Sequence, residues 1–340
     1  MSVRPGEPSV GREPRRSWTP PRTPPNPEAA PFPVGPALAF LRRLRVGVES
    51  GSDPVGAIAG ALGGLPGDAQ DGLERAMRRL AGEYSEDEWG LDEEFADGIF
   101  PLLEFMYERW WRVQVEGAAN VPAHGRALMV ANHAGIVPWD AIMMGTAILK
   151  EHPLPRYPRF LVLNWAFTLP YISFTLRKVG AVVASPYNAI RLLERDELVG
   201  VFPEGVKGAG KDFKDRYRLQ RFGRGGFVEI ALRTRSPIVP VAVVGSEEIH
   251  PKIGESALLA RMSGAPYFPI TPTFPVLGPL GLIPLPSQWR IEFCDPIPTD
   301  DYGPEAAEDR GLVFELSERV RDVIQERVYE ALVKRGRAFA

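Results

Sequence analysis

The chain has 340 residues, 44% of them hydrophobic and 24% charged, which is enough for one large domain or two modest ones with a sizeable core. Its net charge of −3 creates no global field for nucleic acid, so no nucleic-acid partner is expected and any basic function must be local. The single Cys294 excludes an internal disulfide and a cysteine-built metal cluster, and with only His124, His133, His152 and His250 available no metal site is expected.

Residues 1–35 are rich in Pro and Arg and poor in apolar side chains, which predicts a disordered tail. They lack the short apolar core of a signal peptide. Nowhere does the chain offer the roughly 18–20 uninterrupted apolar residues of a membrane span, although a protein can lie on a bilayer without crossing it. Residues 36–98 are expected to form a helical extension: an amphipathic basic segment over Pro36–Arg45, then a helix near Ala69–Ala81. Residues 82–98 carry eight acidic side chains and no basic one, a pattern for solvated surface or for a clamp on basic residues elsewhere.

A domain over residues 99–340 follows. Apolar residues at Ile99, Leu102, Leu103, Met106 and Trp110 have helical spacing, and Trp110 and Trp111 close the segment. A core helix with an aromatic end is the first reading; an interfacial helix is the second. The rhythm then changes to short apolar runs at Arg126–Ala131, Arg159–Leu163, Ala181–Ala184, Leu198–Phe202, Ile238–Val244 and Arg290–Phe293. Helical stretches alternate with them at Asp140–Lys150, Asn188–Arg195 and Gly225–Arg235. Alternation of this kind predicts an α/β fold with a mostly parallel central sheet flanked by helices. A long helix over Glu308–Arg335 closes the chain, with Leu312, Leu316, Val320, Val323, Val328 and Leu332 as its apolar stripe.

Two clusters carry chemistry. His133 stands just past the end of the Arg126–Ala131 strand, Pro138 suits the first turn of a helix, and Asp140 falls in that turn. A carboxylate on one imidazole nitrogen fixes the tautomer and supports the cation formed when the other nitrogen accepts a proton. The second cluster is Phe202-Pro203-Glu204-Gly205, with Lys207 beside it, at the end of another strand. Lys211, Lys214, Arg216, Arg218, Arg221 and Arg224 follow before a predicted helix start at Gly225, a density that suits phosphate binding or a solvated basic loop.

In this order and spacing the motifs resemble those of the PlsC-like glycerolipid acyltransferases, from about residue 100 to residue 300. Asn132-His133 with Asp140 resembles that family's first block, Phe202-Pro203-Glu204-Gly205 its third, and Ile238-Val-Pro-Val-Ala-Val243 its fourth. Six residues separate His133 from Asp140, where the family has four. Lys207 stands where the family has Arg, keeping the charge without the bidentate fork. Gly180–Pro186 resembles the second block without its arginine; Arg177, Lys178, Arg221 or Arg224 are the available substitutes.

The resemblance implies a glycerol-3-phosphate acyltransferase-like fold and an O-acyltransferase of phospholipid biosynthesis. A fatty acyl thioester on coenzyme A or acyl carrier protein is the donor, and the hydroxyl of a glycerolipid such as a lysophospholipid is the acceptor. In that reading His133 is the general base and Asp140 orients it. Phe202, Pro203, Glu204, Gly205, Lys207, Arg221 and Arg224 bind substrate, and backbone N–H groups near Gly135 are candidates for the oxyanion site. It also implies no cofactor beyond the thioester, a membrane lipid as partner, and a peripheral position on the cytoplasmic face of the membrane.

Rivals are a neutral-lipid (diacylglycerol) acyltransferase, a thioesterase and a non-catalytic lipid- or acyl-binding protein of the same fold. A serine hydrolase is disfavoured, because no Gly-x-Ser-x-Gly elbow is present. Residues 265–286 are too proline-rich for a regular helix and read as a buried apolar loop, with an acyl channel wall or a lipid-dipping loop as alternatives.

Overall fold

The computed structural model describes residues 42–43, 45–46, 50 and 86–339, apart from 136, 170 and 171. The expected tail over 1–35 and the helix near 69–81 lie outside the described residues. Of the basic segment, Arg42, Arg43 and Arg45 are helical and exposed.

The described chain opens on the acidic segment, then α1 (Glu93–Phe105), capped by Asp92, and a turn of π-helix over Met106–Trp110. Next come β1 (Gln114–Glu116), β2 (Ala127–Ala131), α2 (Trp139–Glu151), β3 (Arg159–Val162), α3 (Ile172–Lys178), β4 (Val182–Val183), α4 (Pro186–Leu193) and β5 (Leu198–Val201). The chain continues through α5 (Gly205–Ala209), α6 (Gly226–Thr234), β6 (Ile238–Val244), β7 (Gly254–Glu255), α7 (Ala257–Ser263), β8 (Pro269–Ile270), β9 (Arg290–Phe293) and α8 (Arg310–Arg335). Seven strands form one sheet in the order β1-β9-β6-β2-β5-β3-β4. Its pairings are parallel except β6 with β9.

The central strands β2, β5 and β6 are buried on both faces, and side chains alternate between two cores. Leu128 and Val130 of β2 pack with Leu192 of α4, Val228 of α6 and Val320 of α8. Ala127, Met129 and Ala131 pack on the other face with Met143 and Ile148 of α2, and with Trp111 and Trp289. The predicted α/β architecture with its long final helix is therefore the one adopted. The α8 stripe is rotated from the expected one: Leu316, Val320 and Val328 are buried as predicted, but Val313 and Ile324 are buried where Leu312 and Val323 were expected.

The aromatic end of the first helix is core, not interface. Trp111 is fully buried and stacks on Trp289 at 4.8 Å, and its indole N–H donates to the Leu285 carbonyl. The acidic segment is a clamp. Asp87 pairs with the fully buried Arg159 of β3, Glu88 reaches Arg191 and Arg195, and Lys178 is buried between Glu86 at 2.7 Å and Asp92 at 3.1 Å. Lys178 is thus consumed by this clamp and is not a substitute for the missing motif arginine.

Candidate active site

The first polar cluster forms where β2 ends. Asn132 is buried, and its carboxamide bonds both backbone groups of Val243 at 2.8 Å, which continues the β2–β6 ladder by one side chain. This fixes the chain immediately before His133. Gly135 then adopts φ +78, a left-handed turn that glycine takes without a Cβ penalty. Its N–H donates to the Ala209 carbonyl of α5 at 3.0 Å, tying the loop to the second cluster.

The turn returns the chain so that Asp140, at the start of α2, faces His133. His133 Nδ1 donates to Asp140 Oδ2 at 2.7 Å. The same oxygen accepts the Ala134 N–H at 2.9 Å, and Oδ1 accepts the Ala141 N–H at 2.8 Å. Asp140 is wholly buried, and the helix N-terminus favours its negative charge. The two extra spacer residues are thus absorbed by the loop without separating the pair.

His133 keeps 16% of its side chain exposed and stacks on Phe202, with ring centroids 4.4 Å apart. Burial pulls its pKa down, but the Asp140 carboxylate, with Glu204 behind it, outweighs this, and the imidazole stands above its ordinary value. With Nδ1 committed to Asp140, Nε2 is the nitrogen left to accept a proton.

Glu204 is buried, and both its oxygens are engaged. Oε1 accepts the His133 N–H at 3.0 Å; Oε2 accepts the Gln220 N–H at 2.6 Å and lies 3.3 Å from Lys211 Nζ. Lys211 also pairs with Glu247 at 2.9 Å. Glu204 therefore braces the backbone under His133, a role its position in the sequence did not disclose. Glu247 was missed as a site residue, and Lys211 was read only as part of the basic run, because their pairing joins segments far apart in the chain.

The N–H groups of His133, Ala134 and Gly135 donate to Glu204, Asp140 and Ala209 respectively. These three donors hold the loop in shape.

The remaining predicted residues are dispersed. Pro203 and Gly205 form the turn into α5, where Gly205 has φ +56. Lys207 is exposed and borders an open cleft with Lys211, Gln220 and Lys252 and with the carboxylates Asp212, Asp215 and Glu255. Arg221 and Arg224 are exposed and line neither cavity beside the His133 loop. Gly225 packs under α8, where an added Cβ would lie 2.6 Å from Val313, so the start of α6 is covered.

Two cavities meet at Val137, on the loop between His133 and Asp140. One, of about 430 Å³, is apolar; Phe100 and Leu103 of α1, Ala141 and Gly145 of α2, Phe160 of β3 and Leu176 of α3 are among its walls. The other, of about 110 Å³, is bordered by Ala134, Gly135, Lys211, Ser246, His250 and Tyr267. His152 takes no part: its ring bonds the Leu154 and Val121 carbonyls. Cys294 is buried, and burial pushes its thiol up to about 12, so it offers no thiolate nucleophile.

A family model described as acyltransferase matches residues 112–244, the span that holds both clusters. The Mycobacterium tuberculosis protein Rv0502, itself uncharacterised, is 52% identical over 263 residues, spanning 77% of this chain and 74% of its own. A Bos taurus protein named DGAT1/2-independent enzyme synthesizing storage lipids is 24% identical over 216 residues, 64% of this chain and 59% of its own length. The 1-acyl-sn-glycerol-3-phosphate acyltransferase of Borreliella burgdorferi is 24% identical over 147 residues, 42% of this chain and 54% of its own.

Proposed function

The chain belongs to the PlsC-like acyltransferase family, and from that premise we propose that it moves a fatty acyl group from a thioester, on coenzyme A or acyl carrier protein, to a hydroxyl of a glycerolipid such as a lysophospholipid. The observation that carries this reading is the 2.7 Å contact between His133 Nδ1 and the buried Asp140, on a loop that stands between a larger apolar cavity and a smaller one bordered by Lys211, Ser246 and His250.

In the proposed mechanism His133 Nε2 takes the proton of the acceptor hydroxyl as its oxygen attacks the thioester carbonyl. Asp140 supports the imidazolium that forms. Collapse of the tetrahedral intermediate expels the thiolate, which takes the proton back from His133. The sequence needs no covalent acyl-enzyme, metal or redox cofactor. The acyl chain is assigned to the apolar cavity between α1, α2 and α3, whose walls offer an alkyl chain an unhydrated place to lie. Glu204 holds the His133 backbone, and Lys207, at the edge of the open cleft, is the cation placed to meet an acceptor phosphate.

A second reading, a neutral acceptor such as diacylglycerol, is favoured by one observation. The Gly180–Pro186 segment carries no arginine, and Arg221 and Arg224 stand outside the cavity walls. The relative that synthesizes storage lipids supports the same reading.

No helix of the described residues is long and apolar enough to cross a membrane, and the enzyme is proposed to work from the cytoplasmic surface of a bilayer. An activity matrix of acyl-CoA and acyl-carrier-protein donors against lysophospholipid and diacylglycerol acceptors, read by lipid mass spectrometry, tests the proposal. Thiol release that depends on acceptor supports it. Release without acceptor makes the protein a thioesterase, and no release with any pair makes it a binding protein.

A further inference from the structure

Residues 253–283 leave the sheet between β6 and β9 and form a small lobe from β7, α7, β8 and the proline-rich segment after it. The expectation of a buried loop holds only in part. Tyr267 and Thr271 are buried, but Ile253, Leu258, Met262, Val276, Leu277, Leu280, Leu282 and Ile283 are all more than half exposed, with Met262 at 75% and Val276 at 80%. A concentration of large apolar side chains of this kind marks an interaction surface.

Charge says what covers it. From residue 256 to residue 291 the chain has no acidic side chain, and its only basic ones are Arg261 and Arg290. Arg290 belongs to the sheet, where it pairs with Glu116, and Glu255, at the base of the lobe, pairs with Lys252 at 2.8 Å, so Arg261 is the exposed charge of the lobe beyond its first strand. A soluble protein partner would be met by a mixed polar rim; an apolar surface whose residues 256–283 carry one cation and no anion suits a bilayer with anionic headgroups.

Position adds a second argument. The lobe supplies Tyr267, Pro269, Phe274 and Leu282 to the wall of the smaller cavity that Ala134 and Gly135 line on the His133 side. It is fastened to the site by Tyr267, which donates to the Ala209 carbonyl at 2.8 Å, and by the His250–Leu282 contact at 3.0 Å. The apolar surface and the cavity wall are therefore one piece of chain.

We infer that the lobe is the membrane-docking element of the protein: Leu277, Leu280 and their neighbours enter the headgroup and upper acyl layer of a bilayer and bring the cavity mouth to the lipid. The inference rests on the proposed lipid substrate for its purpose, but its test does not. Full-chain protein is sedimented with vesicles of phosphatidylcholine and phosphatidylglycerol, without substrate. Wild type is expected to bind, and the Leu277→Asp/Leu280→Asp variant to lose roughly 100-fold or more in partitioning, because each apolar side chain withdrawn from lipid is worth about tenfold or more.

Turnover by this variant with short-chain, water-soluble donor and acceptor is expected to match wild type. A second measurement covers a misfolded variant. Leu280→Cys, labelled with an environment-sensitive dye while Cys294 stays buried, should shift to the blue on vesicles and be quenched by brominated lipid. Equal vesicle binding by the aspartate variant and wild type, an unshifted dye, or a concentration-dependent dimer that forms through the lobe without vesicle binding each overturns the inference. Loss of vesicle binding together with no turnover on any substrate would instead sink the proposed reaction and leave the docking surface standing.

Discussion

Asp140 reaches His133 Nδ1 at 2.7 Å across a six-residue spacer, and it does so from the first turn of α2 while also accepting the Ala134 and Ala141 N–H groups. The carboxylate is held by the backbone on both sides of the loop, so the imidazole is oriented by a fixed acceptor. If His133 is the base, His133→Ala should lower kcat by about 10²–10⁴-fold, the usual worth of general-base assistance, with the melting temperature little changed. Single-turnover kinetics beside a thermal scan would check this, and wild-type turnover by the variant would remove the role.

The pH dependence has a definite sign. An imidazole acts as a base only when neutral, and that of His133 is held above its ordinary pKa because Asp140 and Glu204 outweigh burial. The acid limb of kcat/KM should therefore lie above the ordinary imidazole value, with activity rising as pH climbs through it. Asp140→Asn removes the raising charge while leaving burial in place, so the limb should move down even as the rate falls. Stability runs the other way. A folded pKa above the unfolded one contributes stability that is complete below the unfolded value and is lost as pH rises through the folded one. Wild type should thus lose part of its advantage over Asp140→Asn on the alkaline side, measurable by urea denaturation at several pH values.

Glu204 can be separated from the chemistry. Its two oxygens accept the His133 and Gln220 N–H groups and face Lys211. In Glu204→Gln one position presents an amide N–H₂ to a buried donor or to the Lys211 cation. Leaving a buried donor unsatisfied costs about 1–3 kcal/mol, so the variant should unfold at lower denaturant and turn over more slowly. Loss of activity without loss of stability would mean that Glu204 meets the substrate instead.

How much of this was legible in the sequence follows from range. The strands at Leu198–Val201 and Ile238–Val244 were readable because a doubly buried parallel strand is a continuous apolar run. β1 and the β7–β8 pair were missed: β1 is three residues long with none of them buried, and the pair is two residues long on each side. His133, Asp140 and Glu204 were singled out because they sit at strand ends within short motifs, and the fold brings the three together. The acidic clamp was left undecided because Asp87 and Arg159, or Glu86 and Lys178, are paired by the fold alone. Arg221 and Arg224 show the converse, a dense basic run that folding spreads over the surface.

The apolar cavity makes a prediction about chain length. Gly145 of α2 lines it, and a Cβ there would make ordinary contacts with Pro158 at 3.5 Å and Phe160 at 3.6 Å. A longer side chain has to extend into the cavity. Gly145→Leu should therefore shift the donor profile toward shorter acyl chains, with kcat on the shortest donor preserved within about threefold, since volume is taken from the chain site and not from His133. A donor series of increasing length would show it, and an unchanged profile would place the acyl chain elsewhere.

Lys207 and the pair Arg221 and Arg224 separate two accounts of the acceptor. Lys207 borders the open cleft beside the buried Lys211, whose charge is already taken up by Glu204 and Glu247. Arg221 and Arg224 lie outside both cavity walls. A hydrogen bond to a charged group is worth about 1.5–3 kcal/mol, so Lys207→Ala should raise KM for a phosphate-bearing acceptor by roughly tenfold or more and leave KM for the donor unchanged. The double variant Arg221→Ala/Arg224→Ala should change either KM by less than about twofold, the usual scale for exposed charges. If instead Lys207→Ala is silent while a neutral acceptor is turned over at full rate, the acceptor carries no phosphate and the diacylglycerol reading takes its place. Initial-rate kinetics on both acceptor classes decide between them, because a lost cation can weaken binding only where the ligand brings an anion to meet it.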